Sequence, residues 1–290
     1  MALDLKQVEK PERKIRKLLK KMSAQPRPEE IHDFRTNSRQ VEATLQAFGL
    51  DSARTGRSVL KPLSRMRKRA GKIRDMDVLT SYATNIRHED SEKDCAVQLL
   101  EYLGAQRHKH AKKFHSLSQQ EGSGLRKRLK QSQKKLTRRA AQAQSNGSPN
   151  VEVPASALEI GSDLASVPRL NHGNLHPFRL KVKELRNVLK LGEASDQALM
   201  DALGQTKDAI GEWHDWEELV AIAERVLDHG AQCRLIRQLK EITAKKFQMA
   251  LTQAEQLRKR YLGAGKKKAR GSRPASPADP VRSAAVKLVA

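Results

Sequence analysis

Aromatic side chains are scarce in this sequence: Phe, Trp and Tyr together make up 3% of it. Single-strand nucleic-acid binders stack bases on aromatic platforms, so that mode is poorly supplied. Cysteine is almost absent. Cys95 and Cys233 stand far apart with no CxxC spacing, which excludes a disulfide framework and a zinc ribbon; both are expected to be inert small apolar residues. No apolar run approaches the roughly 18 residues of a membrane span. The N-terminal stretch MALDLKQVEKPERKIRKLLKK is charged throughout and lacks the apolar segment of a secretory signal. A soluble, cytosolic protein is expected. Gly-rich phosphate loops, GxSxG and paired carboxylates are missing, so no catalytic residue and no cofactor is expected. His108, His110 and His115 do not share one helix face and no carboxylate completes a ligand set, so no metal site is expected either.

What the chain has is positive charge. Its 290 residues carry 57 Lys and Arg against 33 Asp and Glu, a net charge of +24. Such a field attracts polyanions. Apolar residues make up 38%, enough for a core if patterned. Leu, Ala, Lys, Arg, Gln and Glu dominate and β-branched residues are sparse, which predicts an all-α fold. Helices are expected at about 3–22, 28–48, 52–71, 76–88, 91–121 and 123–144, then at about 174–191, 195–212, 215–229 and 231–262. Pro11 offers an alternative start for the first. Residues 145–174, rich in Ser, Asn, Gly and Pro, read as a linker with room for a short helix. Residues 263–290 read as a disordered basic tail.

The two halves, 1–144 and 175–262, resemble each other. IHDFRTNSR at 31–39 aligns with LHPFRLKVK at 175–183, an offset of 144. IRDMDVL at 73–79 aligns with WHDWEEL at 213–219, an offset of 140. Two matches in register indicate duplication. At about 100° per residue, with His32 at zero, Arg35 falls near about 300° and Arg39 near about 340°. Ile31, Phe34, Val41, Leu45 and Phe48 fall between about 160° and 260°. Counted from His176, Arg179, Lys183 and Arg186 occupy the same cationic sector, and Leu175, Phe178, Val182, Leu185 and Leu189 the same apolar one. Both helices are therefore expected to bury one stripe and present a His/Arg/Lys stripe beside it.

The next helix of the first half repeats the device. Arg57, Lys61, Arg65, Lys68 and Lys72 lie within a sector of about 80°, with Leu63, Met66, Ala70 and Ile73 opposite. No acid occurs from Ser52 to Ile73. Like charges four apart repel by a few tenths of a kcal/mol per pair, so an anionic partner is the economical explanation. Residues 105–140 hold twelve Lys and Arg and one acid, but spread around the helix; they read as general field. His32 and His176 sit in the first turns of their helices, where free N–H groups favour anions. Asp75, Asp77, Asp208 and Asp215 fall near expected helix ends and read as caps or partners of neighbouring Arg. Trp213 and Trp216 read as bundle core.

HDFRTNSR at 32–39, KIRDMDVL at 72–79 and LHPFRLKVKELR at 175–186, with their duplicated order, resemble the CHAD family, the conserved-histidine α-helical domains, over about residues 10 to 262. The resemblance implies two four-helix-type bundles related by pseudo-twofold symmetry, with basic helices lining a shared central groove. It implies binding of inorganic polyphosphate and association with polyphosphate granules. By position it assigns His32, Arg35 and Arg39, then His176, Arg179, Lys183 and Arg186, with Arg57, Lys61, Arg65, Lys68 and Lys72 as the first-half wall. The counterpart helix, 195–212, contributes Lys207 as its single cation, and His214 replaces an Arg. A lopsided groove follows. The ExExK strand of relatives fused to a triphosphate-tunnel enzyme is absent, so hydrolysis is not carried over. The alternative is nonspecific nucleic-acid binding through the same field and the tail.

Overall fold

Apolar residues spaced three and four apart force most of this chain into amphipathic helices that must cover one another. The computed structural model describes residues 5–47, 49–86, 93–145, 153–189, 196–228 and 233–263. Among them there are eight helices and no strand. None is long and apolar enough to cross a membrane. The chain divides into two units, Met1–Val151 and Glu152–Ala290.

Unit 1 holds α1 (Leu5–Lys21), α2 (Pro28–Ala47), α3 (Arg54–Thr84) and α4 (Lys93–Ser145). They pack in a ring: α1 on α2, α2 on α3, α3 on α4, and α4 back on α1. The expected stripes form the core. Ile31, Phe34, Val41 and Leu45 are buried with Leu63, Met66, Ala70 and Ile73, and Phe34 meets Phe114 of α4 edge-on at 5.5 Å. Burying each such large side chain contributes about 1.5–3 kcal/mol. Phe48 lies outside the described residues. Gly49 ends α2 at φ 60°, and Gly49 and Leu50 donate back to Gln46 O and Leu45 O, which closes the helix in a Schellman motif.

Unit 2 holds α5 (Val153–Ser166), α6 (His172–Leu189), α7 (Gln197–Val226) and α8 (Arg234–Tyr261), packed in sequence order. Leu175, Phe178, Val182, Leu185 and Leu189 are buried, as their spacing predicts. Trp213 and Trp216 are buried too. Asn171 caps α6 through Gly173 N and Asn174 N, and Asp196 caps α7 through Ala198 N and Leu199 N.

Several expectations need correction. The helix pairs split near residues 72–75, 122 and 213–214 are single helices, α3, α4 and α7. Packing along their length outweighs the local cost of Gly71, Gly122 and Gly211. Pro11 lies inside α1, not at its start. The stretch 145–174 does hold the short helix it had room for, α5, but this packs on α6 and ties to it through Lys181 and Asp163, so the second unit begins well before residue 175. The C-terminus of α5 is held by Arg258 of α8, which is buried and donates to Val167 O at 2.5 Å and to Ala165 O at 3.4 Å. Pro62 inside α3 cannot donate to Ser58 O; Arg128 of α4 donates to that carbonyl at 3.1 Å instead. The expected tail, beyond Gly263, lies outside the described residues.

Candidate functional site

In unit 1 the acid-free run on α3 forms one wall of a cleft of about 860 Å³ whose other wall is α4. Arg65, Lys68, Arg69 and Lys72 come from α3, Lys112 and Lys113 from α4, with Ser116, Leu117 and Gln120 between them. No carboxylate lines it. Buried Met66, Ala70 and Ile73 on one helix and Ala111 and Phe114 on the other fix the phase that turns these cations outward together. At the margin, Arg65 pairs with Glu121 at 2.7 Å.

Three of the expected residues, Arg65, Lys68 and Lys72, are therefore brought together. Arg57 and Lys61 are exposed on earlier turns of α3 and do not line the cleft. The α2 stripe does not line it either: His32 and Arg39 are exposed, and Arg35 is half-buried with its guanidinium 3.6 Å from Asp75 of α3. Sequence reasoning missed Arg69, Lys112 and Lys113. Arg69 lies just beyond the sector drawn for α3. The lysines sat in a stretch read as general field, although no acid occurs from Ala105 to Gln120.

His110 of α4 borders this cluster. Burial first, then the charges of Lys72, Lys113, Lys109 and Arg69, hold its pKa below the ordinary histidine value, so it is neutral at pH 7. Its Nδ1 is buried without a hydrogen-bond partner among the described residues.

Unit 2 spends its cations differently. The α6 stripe faces α7 rather than an open cleft, and His176, Arg179, Lys183 and Arg186 are all half-buried. Arg179 Nε donates to Lys207 O at 3.1 Å, and Arg186 Nε to Met200 O at 3.4 Å. The His176 ring stands 4.5 Å from His214. Burial, then the neighbouring His214 and Arg179, lower the His176 pKa against the opposing pull of Glu217. Lys207 pairs with Asp208 at 2.6 Å. The tempting acids are partners, as expected, but inside helices rather than at their ends: Asp75 meets Arg35, and Asp77 meets Arg107 Nε at 2.6 Å. Among the described residues no group of three His, Cys, Asp or Glu side chains is placed to hold a metal ion.

The motifs that carry these stripes are matched by the CHAD domain family model over residues 5–219. The chain belongs to the CHAD domain family. The match takes in all of unit 1 from α1 onward and ends inside α7, short of the residue 262 reached by the sequence resemblance. No curated protein and no solved structure matches the chain. Both His-x-Phe-Arg motifs of this CHAD protein fall on the second helix of their unit, and both Asp-containing motifs on the third, which is the order that duplication requires.

Proposed function

We propose that this CHAD protein binds inorganic polyphosphate and does not turn it over. The observation that carries the reading is the α3–α4 cleft: six cations from two helices with no carboxylate among them. A polyphosphate chain carries about one negative charge per unit, and successive phosphoryl oxygens suit a line of Lys and Arg, with Arg able to hold two oxygens at once. A thin, flexible anion fits a recess between two helices. Duplex DNA is better served by a protruding element or a broad convex basic face. In the cell the same chemistry would place the protein at polyphosphate granules.

The test is a competition titration at about 0.15 M salt, long-chain polyphosphate against duplex DNA, with the wild type and Lys68→Ala/Arg69→Ala/Lys112→Ala. Polyphosphate is expected to win by about tenfold or more, and the variant to lose that advantage. Equal competition by DNA, undiminished in the variant, would assign binding to the general +24 field and favour the nucleic-acid reading. Phosphate released from polyphosphate by the purified protein with Mg²⁺ or Mn²⁺ would overturn the non-catalytic assignment.

A further inference from the structure

Helix α7 bears two glycines, Gly204 and Gly211, seven residues apart; across from them α6 bears two arginines, Arg179 and Arg186, also seven apart. Seven residues are about 10.5 Å of helix, close to two turns. Glycine is a poor helix former, so a repeated pair in the middle of a buried helix calls for a reason.

The reason lies in which carbonyls the arginines reach. Arg179 Nε donates to Lys207 O, and Arg186 Nε to Met200 O. In an α-helix those two carbonyls are the i−4 acceptors of Gly211 and Gly204 themselves. A Cβ leans toward the helix N-terminus, so any other residue would put a methyl or more over the acceptor. A Cβ at Gly211 would stand 2.7 Å from one terminal nitrogen of Arg179 and 3.0 Å from its Nε. At Gly204 it would stand 3.4 Å from Arg186 Nε. The glycines uncover the carbonyls, the carbonyls take one N–H of each guanidinium, and the four remaining N–H donors of each sit on the terminal nitrogens in a plane that is already fixed. Unit 1 does not share the device. Gly71, aligned with Gly211, has nothing within 4 Å of its would-be Cβ, and Arg35, aligned with Arg179, meets Asp75 instead.

We propose that Gly204 and Gly211 are positioning residues for anion binding in unit 2, setting Arg179 and Arg186 as two pre-oriented forks for phosphoryl oxygens about two helical turns apart. The proposal rests on the polyphosphate reading. Pre-orientation matters because a fixed fork loses less side-chain freedom when it binds than a free one.

The experiment is calorimetric titration of long-chain polyphosphate into wild type, Gly211→Ala, Gly204→Ala, Gly71→Ala, Arg179→Ala and the double variant Gly211→Ala/Arg179→Ala. The Arg Nε–H resonance of Arg179 is followed by NMR without ligand, and circular dichroism checks each fold. Gly211→Ala removes no charge, yet is expected to weaken binding by about tenfold, as loss of one hydrogen bond to a charged group would. Gly204→Ala, with its larger clearance, is expected to fold as wild type and weaken binding less; Gly71→Ala is expected to leave affinity unchanged. The Arg179 Nε–H is expected to be protected from exchange in wild type and unprotected in Gly211→Ala. In the Arg179→Ala background the glycine substitution is expected to add nothing, whereas a merely structural glycine would weaken binding there as well. Wild-type affinity in both Gly211→Ala and Gly204→Ala, or a full further loss in the double variant, overturns the proposal alone. Wild type that does not bind polyphosphate overturns the reading beneath it, whatever the Nε–H signal shows.

Discussion

The two units have the same number of helices in the same order and the same His-x-Phe-Arg motif on the second of them, yet their cations are held in different ways. In unit 1 the third helix is densely cationic and turns Arg65, Lys68, Arg69 and Lys72 into a cleft with α4. In unit 2 the third helix has lost those cations and kept glycine, so the arginines of the second helix lie down on its backbone. The motif arginine shows the divergence most directly: Arg35 meets a carboxylate, Arg179 a backbone carbonyl. A duplicated framework thus tolerates wide change in polar chemistry while its apolar stripes stay in phase, because the core constrains phase and the exposed sector does not.

The aligned acids of the third helices, Asp77 and Glu217, should separate the units most sharply. Asp77 is nearly buried and holds Arg107, which also donates to Pro26 O at 2.7 Å. Glu217, its counterpart, is more exposed and meets His172 and His214. Arg107→Ala is expected to destabilise unit 1 by about 3 kcal/mol or more, since it strands a buried carboxylate; Glu217→Ala should cost unit 2 about 1 kcal/mol. Chemical denaturation of each variant measures both, and equal costs would erase the distinction.

Next in size is ligand affinity. Lys68→Ala/Arg69→Ala/Lys112→Ala in unit 1 is expected to weaken polyphosphate binding about 100-fold, against about 30-fold for Arg179→Ala/Arg186→Ala in unit 2. Titration at fixed salt decides it, and the reverse order would move the main seat to unit 2. A smaller contrast is set by pH. Glu12 of α1 is buried, accepts from Ser132 Oγ of α4 at 3.0 Å, and has its pKa pushed up to about 7, chiefly by burial. The folded state therefore holds that proton more tightly than the unfolded chain. Its contribution is fully present below about pH 4.5 and is lost as pH rises through about 7. Glu12→Gln should accordingly raise stability relative to wild type at pH 8 by about 2 kcal/mol, and the gain should vanish near pH 4.5. Histidine acts in the other direction. With its pKa lowered, His176 favours the fold above about pH 6.5, and that support is lost as pH falls below it.

The smallest expected effect is on binding. A polyanion raises the pKa of His110 and His176, so affinity should increase a few-fold between about pH 8 and pH 5.5. His110→Gln/His176→Gln should flatten that slope, and a slope unchanged in the variant would show that other groups take up the proton.

Much of this architecture is legible in the sequence because helical phase is local information. The stripes around Phe34 and Phe178 and the cationic run on α3 follow from spacing alone. What spacing does not carry is the register between helices far apart in the chain. Lys112 and Lys113 become a wall only when Phe114 has docked on Phe34 and set the rotation of α4. Gly71, Gly122 and Gly211 look like breaks to a local reading; packing against neighbouring helices carries the helical backbone through them. Helix α5 reads from the sequence only as room for a short helix in a linker, because its buried stripe, Ala157, Gly161 and Leu164, is small and sits among Ser and Pro.

The meeting of Pro62 and Arg128 has a consequence for the order of assembly. The carbonyl that the proline strands belongs to residue 58, and its donor arrives seventy residues later. As the chain emerges during synthesis, α3 is complete in hydrogen bonding only after α4 has been made past its midpoint and has folded back. The third helix of unit 1 therefore completes its own backbone hydrogen bonding with a donor from a distant part of the chain.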